Sequence, residues 1–410
     1  MAVHVINEAR RCLQCKKPLC REKGCPVQTD IPEMIRLFLE GKSAEAGEML
    51  FKNNPLSVVC SLVCDHDRQC EGNCIQGRKG MPVQISSIEN YISDAYLDKL
   101  VLTRAAGKGQ KAAIIGGGPA GITIAVRLAQ KGYDITLFES HDQIGGVLRY
   151  GIPDFRLPKT ILDRYQKKLL QVGIRIRPNT TIGGALTIDK IFDDGYEAVF
   201  IGTGVWRPRQ LDIKGESLGN VHYAINYLMN PDVYDLGDHV AIIGAGNAAM
   251  DVARTVIRHG SRFVTIYSRQ NHIAASQREA DYALADGVDI RCGMHAAELT
   301  DDGPLLITAA CDESGNIISQ SAPKLYPADS TIIAVSQGPK DKIVNTTTGI
   351  AVRENGLVQT DMTGRTTREG VFASGDVVQG AKTVVEAVKY SKEVADAMDQ
   401  YMQQKAAARK

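Results

Sequence analysis

The chain has 410 residues, in which 48 lysines and arginines nearly balance 47 aspartates and glutamates. That length exceeds what one ordinary core serves and points to roughly two or three domains. The balanced charge excludes an overall field suited to nucleic acid, an anionic membrane or an acidic polymer. A hydrophobic content of 44% with 39 glycines suits a folded α/β protein, and no run approaches the roughly 20 apolar residues of a membrane span. The start, Met1-Ala2-Val3-His4, leads into a charged segment without the apolar core of a secretory signal, so the chain is expected in the cytoplasm.

Residues 1–102 read as a small helical domain, with apolar residues at helical spacing in Pro32–Glu40. Eight of the ten cysteines fall here: Cys12, Cys15, Cys20, Cys25, Cys60, Cys64, Cys70 and Cys74; Cys292 and Cys311 stand alone. A long chain without an export signal does not build a disulfide framework, so this clustering means metal. The run from Cys12 to Cys25-Pro26 echoes the ferredoxin pattern of three closely spaced thiolates and a fourth, Pro-followed cysteine that serves another cluster. By count, eight cysteines supply eight ligands for two [4Fe–4S] clusters. Zinc is the alternative, with Cys12 and Cys15 at knuckle spacing, but structural zinc prefers paired Cys-x-x-Cys elements or histidines.

The glycine-containing stretch Thr103–Gln110 reads as a linker, after which strands and helices alternate. Two segments look like copies of one unit. Ala112-Ala-Ile-Ile leads into Gly116-Gly-Gly118-Pro-Ala-Gly121, and Val240-Ala-Ile-Ile leads into Gly244-Ala-Gly246-Asn247-Ala248-Ala249. A strand, a G-x-G-x-x-[GA] turn and a helix are the context in which backbone approaches a dinucleotide pyrophosphate at a helix N-terminus. In the first unit the strand Asp134–Phe138 ends in Glu139, placed to accept hydrogen bonds from ribose hydroxyls. In the second, Phe263–Tyr267 ends in Ser268-Arg269 with no carboxylate, and an arginine there favours the 2′-phosphate of NADPH.

Around these copies, Ile144-Gly145-Gly146, Arg156-Leu157-Pro158, Gly202-Thr203-Gly204, Gly375-Asp376 and Thr383 resemble elements of the two-dinucleotide-binding-domain flavoproteins. The resemblance implies FAD in the first site, touched by Gly146, Arg156, Gly375, Asp376 and Thr383, and NADH or NADPH in the second. The implied α/β architecture is an N-terminal helical iron–sulfur domain (1–102), an FAD-binding Rossmann-like domain (103–235 and 335–410) and an NAD(P)-binding domain (236–334) inserted in it. Hydride transfer between nicotinamide and flavin rests on stacking, so no catalytic side chain is assigned. A thioredoxin-reductase-like chemistry would need a Cys-x-x-Cys between 236 and 334, where Cys292 and Cys311 are too far apart to form that motif.

From Cys12 to about Met402 the chain resembles the family that unites the small subunit of glutamate synthase with the flavin-containing half of dihydropyrimidine dehydrogenase. The resemblance implies one cluster on Cys12, Cys15, Cys20 and Cys74, and another on Cys25, Cys64, Cys70 and a non-cysteine ligand. Aligned through Pro82-Val-Gln-Ile-Ser-Ser-Ile, that ligand falls on Glu89, leaving Cys60 a spare buried thiol; counting cysteines alone selects Cys60 instead. It further implies that a hydride enters and single electrons leave, toward an acceptor on another polypeptide in a hetero-oligomer: an FMN-containing dihydropyrimidine dehydrogenase subunit, a glutamate synthase large subunit, or a ferredoxin, including bifurcating complexes.

The segment Gly380–Lys389 and the lone Arg269 look most like the dihydropyrimidine dehydrogenase input subunit, which pulls toward NADH. Glu89 and Gly151–Lys159 look equally like glutamate synthase small subunits, which usually carry paired arginines where Ser268 stands. A non-enzymatic redox-sensing iron–sulfur protein accounts for the cysteines but not for two fingerprints plus Gly375-Asp376.

Overall fold

The computed structural model describes residues 2–311 and 317–409, which form two compact units. The first comprises residues up to 149, 154–205 and those from 338 on; the second comprises 150–153 and 206–337.

In the first unit the cysteine-rich segment folds as helices Ala2–Arg10, Ile31–Leu39, Ser43–Asn53, Ser57–Val63 and Ile85–Lys99, with a π-turn at Cys20–Gly24. Ile31–Leu39 starts where Asp30 accepts the Glu33 N–H and Pro32 occupies the first turn, where no N–H is needed. Its apolar residues Met34 and Ile35 are buried against Leu50, Ile85, Ile88 and Ile92. Each fully buried side chain of this size contributes about 1.5–3 kcal/mol. Cys70 belongs to this core, and Cys12, Cys20, Cys25 and Cys74 are half-buried against it. Cys60 stands within helix Ser57–Val63 and Cys20 in the π-turn; the other six thiols stand on turns and loops that the helices frame.

The rest of this unit is a parallel sheet in the order Val371–Ala373, Tyr196–Ile201, Lys111–Ile115, Asp134–Phe138, Arg175–Arg177. Ala112–Ile115 is buried throughout, as in a strand covered on both faces. Helix Pro119–Gln130 follows that strand, and the C-terminal helix Val384–Ala407 packs on it.

The second unit repeats the plan: Val221–Tyr223, Ser330–Ile333, His239–Ile243, Phe263–Ser268, Asp289–Cys292, all parallel. In each sheet the fingerprint strand is central, with the strand that follows its helix on one side and a strand from much later in the chain on the other. The edge strand Val221–Tyr223 precedes residue 236, and an antiparallel ribbon of Met294–Thr300 and Gly303–Cys311 is added. The α/β architecture is thus the predicted one: a helical N-terminal part, then two Rossmann-type sheets, the second inserted in the first. Among the described residues no helix is long and apolar enough to cross a membrane.

Candidate functional site

The eight N-terminal thiols separate into two groups in space. Cys12, Cys15, Cys20 and Cys74 line one cavity whose other walls include Leu13, Pro18, Ile31, Ile35, Val83 and Ile85. None of the other four cysteines lines it. Burial pushes the Cys20 thiol up to about 12, and the charges of Cys74, Cys12 and Cys15 add to that, as expected of thiols brought together without a counter-charge. Four sulfurs around an apolar cavity suit a cluster that supplies the missing positive charge.

The second group is deeper. Cys25, Cys64 and Cys70 are each raised by burial and by the charge of one common neighbour, Glu89; for Cys64 the contact with Cys60 ranks first. Glu89 lies on the buried face of Ile85–Lys99, and burial, with Glu71 nearby, pushes its carboxyl up to about 8. Glu71 is occupied: its Oε1 accepts from the Ser86 N–H at 2.8 Å and the Ser86 hydroxyl at 2.7 Å. The Glu89 carboxylate meets no hydrogen-bond donor among the described residues. A buried carboxylate without a donor is costly, and positive charge held by the neighbouring thiols would remove that cost. Cys60 is buried beside Cys64 and near Tyr165, whose hydroxyl donates to the Pro55 carbonyl at 2.7 Å.

One residue of this group has no sequence motif to announce it. His66 is buried, with Nε2 3.1 Å from the Ser61 carbonyl and Nδ1 3.4 Å from the Cys70 sulfur. Its place between Cys64 and Cys70 is the only signal the sequence offers.

At the first fingerprint, the glycines serve different ends. Gly116 has φ +101°, and a Cβ there would meet the Gly202 carbonyl oxygen at 2.5 Å; at Gly121 it would meet the Gly116 oxygen at 1.9 Å. Both are glycine for internal reasons. Gly118 is not: its φ is −78°, and the nearest atom to an added Cβ is 3.9 Å away. The space beside it is left to a ligand at the N-terminus of Pro119–Gln130.

Glu139 is buried at this turn. Its Oε2 accepts from the Gly117 N–H at 2.7 Å and its Oε1 from the His141 N–H at 2.9 Å, with His141 Nδ1 2.8 Å away. Burial opposes its charge, but these donors outweigh that and hold the carboxyl below the usual range. Neither Gly117 nor His141 is singled out by the sequence pattern.

The other predicted FAD contacts divide. A Cβ on Gly146 (φ +53°) would meet the Gly118 Cα at 2.9 Å, while Gly375 (φ +74°) abuts the Ala120 side chain in the first turn of the fingerprint helix. These bring two distant loops to one place. Asp376, half-buried, accepts from the Lys382 N–H at 3.3 Å, and burial raises its carboxyl to about 6. Thr383 caps Val384–Ala407 in a capping box, with its hydroxyl 2.7 Å from Glu386 Oε2, so its side chain is engaged in starting that helix. Arg156 is half-buried in the segment before helix Lys159–Gln171.

The second fingerprint repeats the geometry. A Cβ on Gly244 (φ +117°) would meet the Ala334 oxygen at 2.4 Å, and Gly246 (φ −85°) has nothing within 4 Å of an added Cβ. Asn247 Oδ1 accepts from the Ser276 N–H at 2.9 Å, Ala248 is half-buried, and Ala249 stands buried where the first unit needs Gly121. Ser268 is buried and donates to the His272 carbonyl at 3.1 Å, while Arg269 is exposed and close enough to add to the burial that lowers His295. Cys292 is exposed at a strand end; the Cys311 side chain lies outside the described residues.

Residues 110–391 match the family described as pyridine nucleotide-disulphide oxidoreductase, and residues 2–100 the one described as dihydropyrimidine dehydrogenase domain II, 4Fe-4S cluster. The glutamate synthase (NADPH) small chain of Azospirillum brasilense is 32% identical over 98% of this chain and 90% of its own length. The NAD-dependent dihydropyrimidine dehydrogenase subunit PreT of Salmonella typhimurium is 32% identical over 97% and 94%.

Among solved structures, FprA of Mycobacterium tuberculosis in complex with NADPH aligns with TM-score 0.59 at 17% identity, covering 73% of this chain and 86% of that one. Thioredoxin reductase of T. acidophilum aligns at 0.55 and 20%, covering 72% and 99%. Both likenesses speak for the fold alone. The two family matches and the full-length relatives together mean that this chain belongs to the family of glutamate synthase small chains and dihydropyrimidine dehydrogenase flavin subunits, NAD(P)H-dependent flavin oxidoreductases with an N-terminal 4Fe-4S domain.

Proposed function

We propose that the chain is an electron-input subunit that oxidises NADH or NADPH on behalf of a separate acceptor protein, with the FMN-containing subunit of a dihydropyrimidine dehydrogenase as that acceptor. Bound FAD would take the hydride, and two [4Fe–4S] clusters would carry its electrons singly. The observation that carries this reading is the sorting of the thiols into Cys12, Cys15, Cys20, Cys74 around one cavity and Cys25, Cys64, Cys70 around Glu89. These would be the two ligand sets, on the same compact unit as the first fingerprint.

The chain's own residues bind and exclude. Gly118 and Gly246 leave room for pyrophosphate, Glu139 stands at the turn where ribose hydroxyls arrive, and Gly375 and Asp376 come to the first turn of the same helix. Gly146 keeps the neighbouring loop within reach, and Arg156 and Thr383 would complete the FAD side. Gly244, Asn247, Ala248, Ser268 and Arg269 frame the nicotinamide nucleotide. A cytoplasmic setting fits thiols that must stay reduced to take iron.

A glutamate synthase large subunit is the second acceptor, favoured by the 32% identity to that enzyme's small chain. The lone Arg269 beside a hydroxyl-engaged Ser268 supports the dihydropyrimidine dehydrogenase side. The test is anaerobic: NADH or NADPH should bleach the yellow holoprotein, and failure of both would end the reading. Co-purification from the native host, with identification of the companion subunit, separates the two acceptors.

A further inference from the structure

The surface around the first thiol set is basic in a chain that is otherwise near neutral. Between Arg10 and Cys25 stand six cations and one carboxylate, and Arg78 and Lys79 follow Cys74 closely. Arg11 is paired with Glu8 and Arg21 with Asp30. Lys16, Lys17, Arg78 and Lys79 are exposed and have no acidic partner among the described residues.

Their two loops are tied together: Gln76 Nε2 donates to the Arg11 carbonyl at 2.8 Å, and the Arg11 guanidinium donates to the Pro82 carbonyl at 3.2 Å. In the same loops Leu13 is 57% and Met81 69% exposed, large apolar side chains that the fold gives no internal cover. Leu13 also lines the cavity of Cys12, Cys15, Cys20 and Cys74. Of the other set Cys70 and Glu89 are buried, while Cys25 and Cys64 are half-buried. All four thiols of the first set are half-buried around one cavity, and the surface that rims it is apolar with unpaired cations beside it.

We propose that this face docks an acidic electron-accepting protein, whose one-electron centre meets the first thiol set over Leu13 and Met81. The inference rests on the electron-input reading and adds the chemistry of the partner's contact surface. Unpaired cations steer an acidic protein and set its orientation, while the apolar residues exclude water from the contact. A nucleic acid or an anionic membrane uses the cations but gives no reason for them to border a redox centre.

The holoprotein is tested with a chemically reduced, acidic [2Fe–2S] ferredoxin as probe and NAD(P)⁺ as the final acceptor. Two ferredoxins give up one electron each, and NAD(P)⁺ takes both with one proton to form NAD(P)H. The second-order rate of ferredoxin oxidation should fall steeply as ionic strength rises toward about 0.3 M, where the screening length shortens to a few ångströms. The double reversal Lys16→Glu, Lys17→Glu should slow it by about tenfold or more at low salt. Iron content and flavin bleaching by NAD(P)H should stay unchanged.

The same change in net charge placed on the exposed Lys340 and Arg353 should leave the rate within about twofold. A ferredoxin rate that is insensitive to salt, or to the Lys16/Lys17 reversal while bleaching is normal, overturns the docking face and leaves the electron-input reading standing. Absence of bleaching in the unsubstituted protein overturns that reading instead.

Discussion

Glu89 occupies one helix turn between Ile85, Ile88 and Ile92, in a core where an isolated carboxylate destabilises the fold unless something positive reaches it. This separates two effects of one substitution. Glu89→Ala should lower iron content by about half, if each cluster takes half of the iron, yet leave the iron-free protein no less stable in chemical denaturation, since a costly buried acid is gone. Cys60→Ser should keep both clusters; iron halved in Cys60→Ser and unchanged in Glu89→Ala would reverse the assignment. Gly121 is a second case in which one atom decides. An alanine there would drive its Cβ to 1.9 Å from the Gly116 oxygen, so the helix must shift away from the turn. Gly121→Ala should cost about 1–3 kcal/mol in a denaturation series and lower the FAD retained on purification. The alanine already at position 249 shows that the second helix starts far enough from its turn to admit a methyl group. The glycine pattern was plain in the sequence, but which glycines answer to the backbone and which to a ligand depended on what lies beside each Cβ.

Among the elements, the long C-terminal helix ties the first unit together. Asp399 accepts from Lys131 Nζ at 2.7 Å and Lys108 Nζ at 3.2 Å, and from the Tyr133 hydroxyl. Burial opposes its charge, but these donors prevail and hold the carboxyl well below its usual value. A carboxyl depressed in the folded state stabilises it above the unfolded value, about 3.9, and loses that contribution as pH falls below it. Asp399→Asn should therefore cost about 1–3 kcal/mol at pH 7, and the gap to the unsubstituted protein should narrow as pH is lowered through 4, measured by denaturant midpoint. Elements with repeated apolar patterns, such as Lys111–Ile115 and His239–Ile243, were legible because each is covered on both faces. The three-residue edge strands Arg175–Arg177 and Val221–Tyr223 were not, since a strand that short carries no periodicity. Thr383, a cofactor contact by resemblance, also starts the C-terminal helix in a capping box, which Thr-x-x-Glu spells.

On the scale of the whole molecule, overall neutrality conceals a locally basic face, and coenzyme choice hangs on little charge. Ser268 is turned to the His272 carbonyl, which leaves Arg269 exposed as the cation at that strand end. One exposed ion pair is worth about 1 kcal/mol, roughly a fivefold effect. Arg269→Ala should raise the NADPH concentration needed for half-maximal flavin reduction by about that factor and leave NADH unchanged; equal effects on both would remove Arg269 from the phosphate site. The sequence by itself determined the class of chemistry and the order of the parts, because thiol clustering and glycine spacing follow from local demands of ligation and backbone approach. Through family resemblance it also implied a division of the thiols into two sets. Only the tertiary structure decided which side chains share a cavity, that Glu89 is left without a donor among three thiols, and that Gly375 meets the helix of Gly118. Those relations join residues far apart in the chain, and packing creates them where no local pattern can.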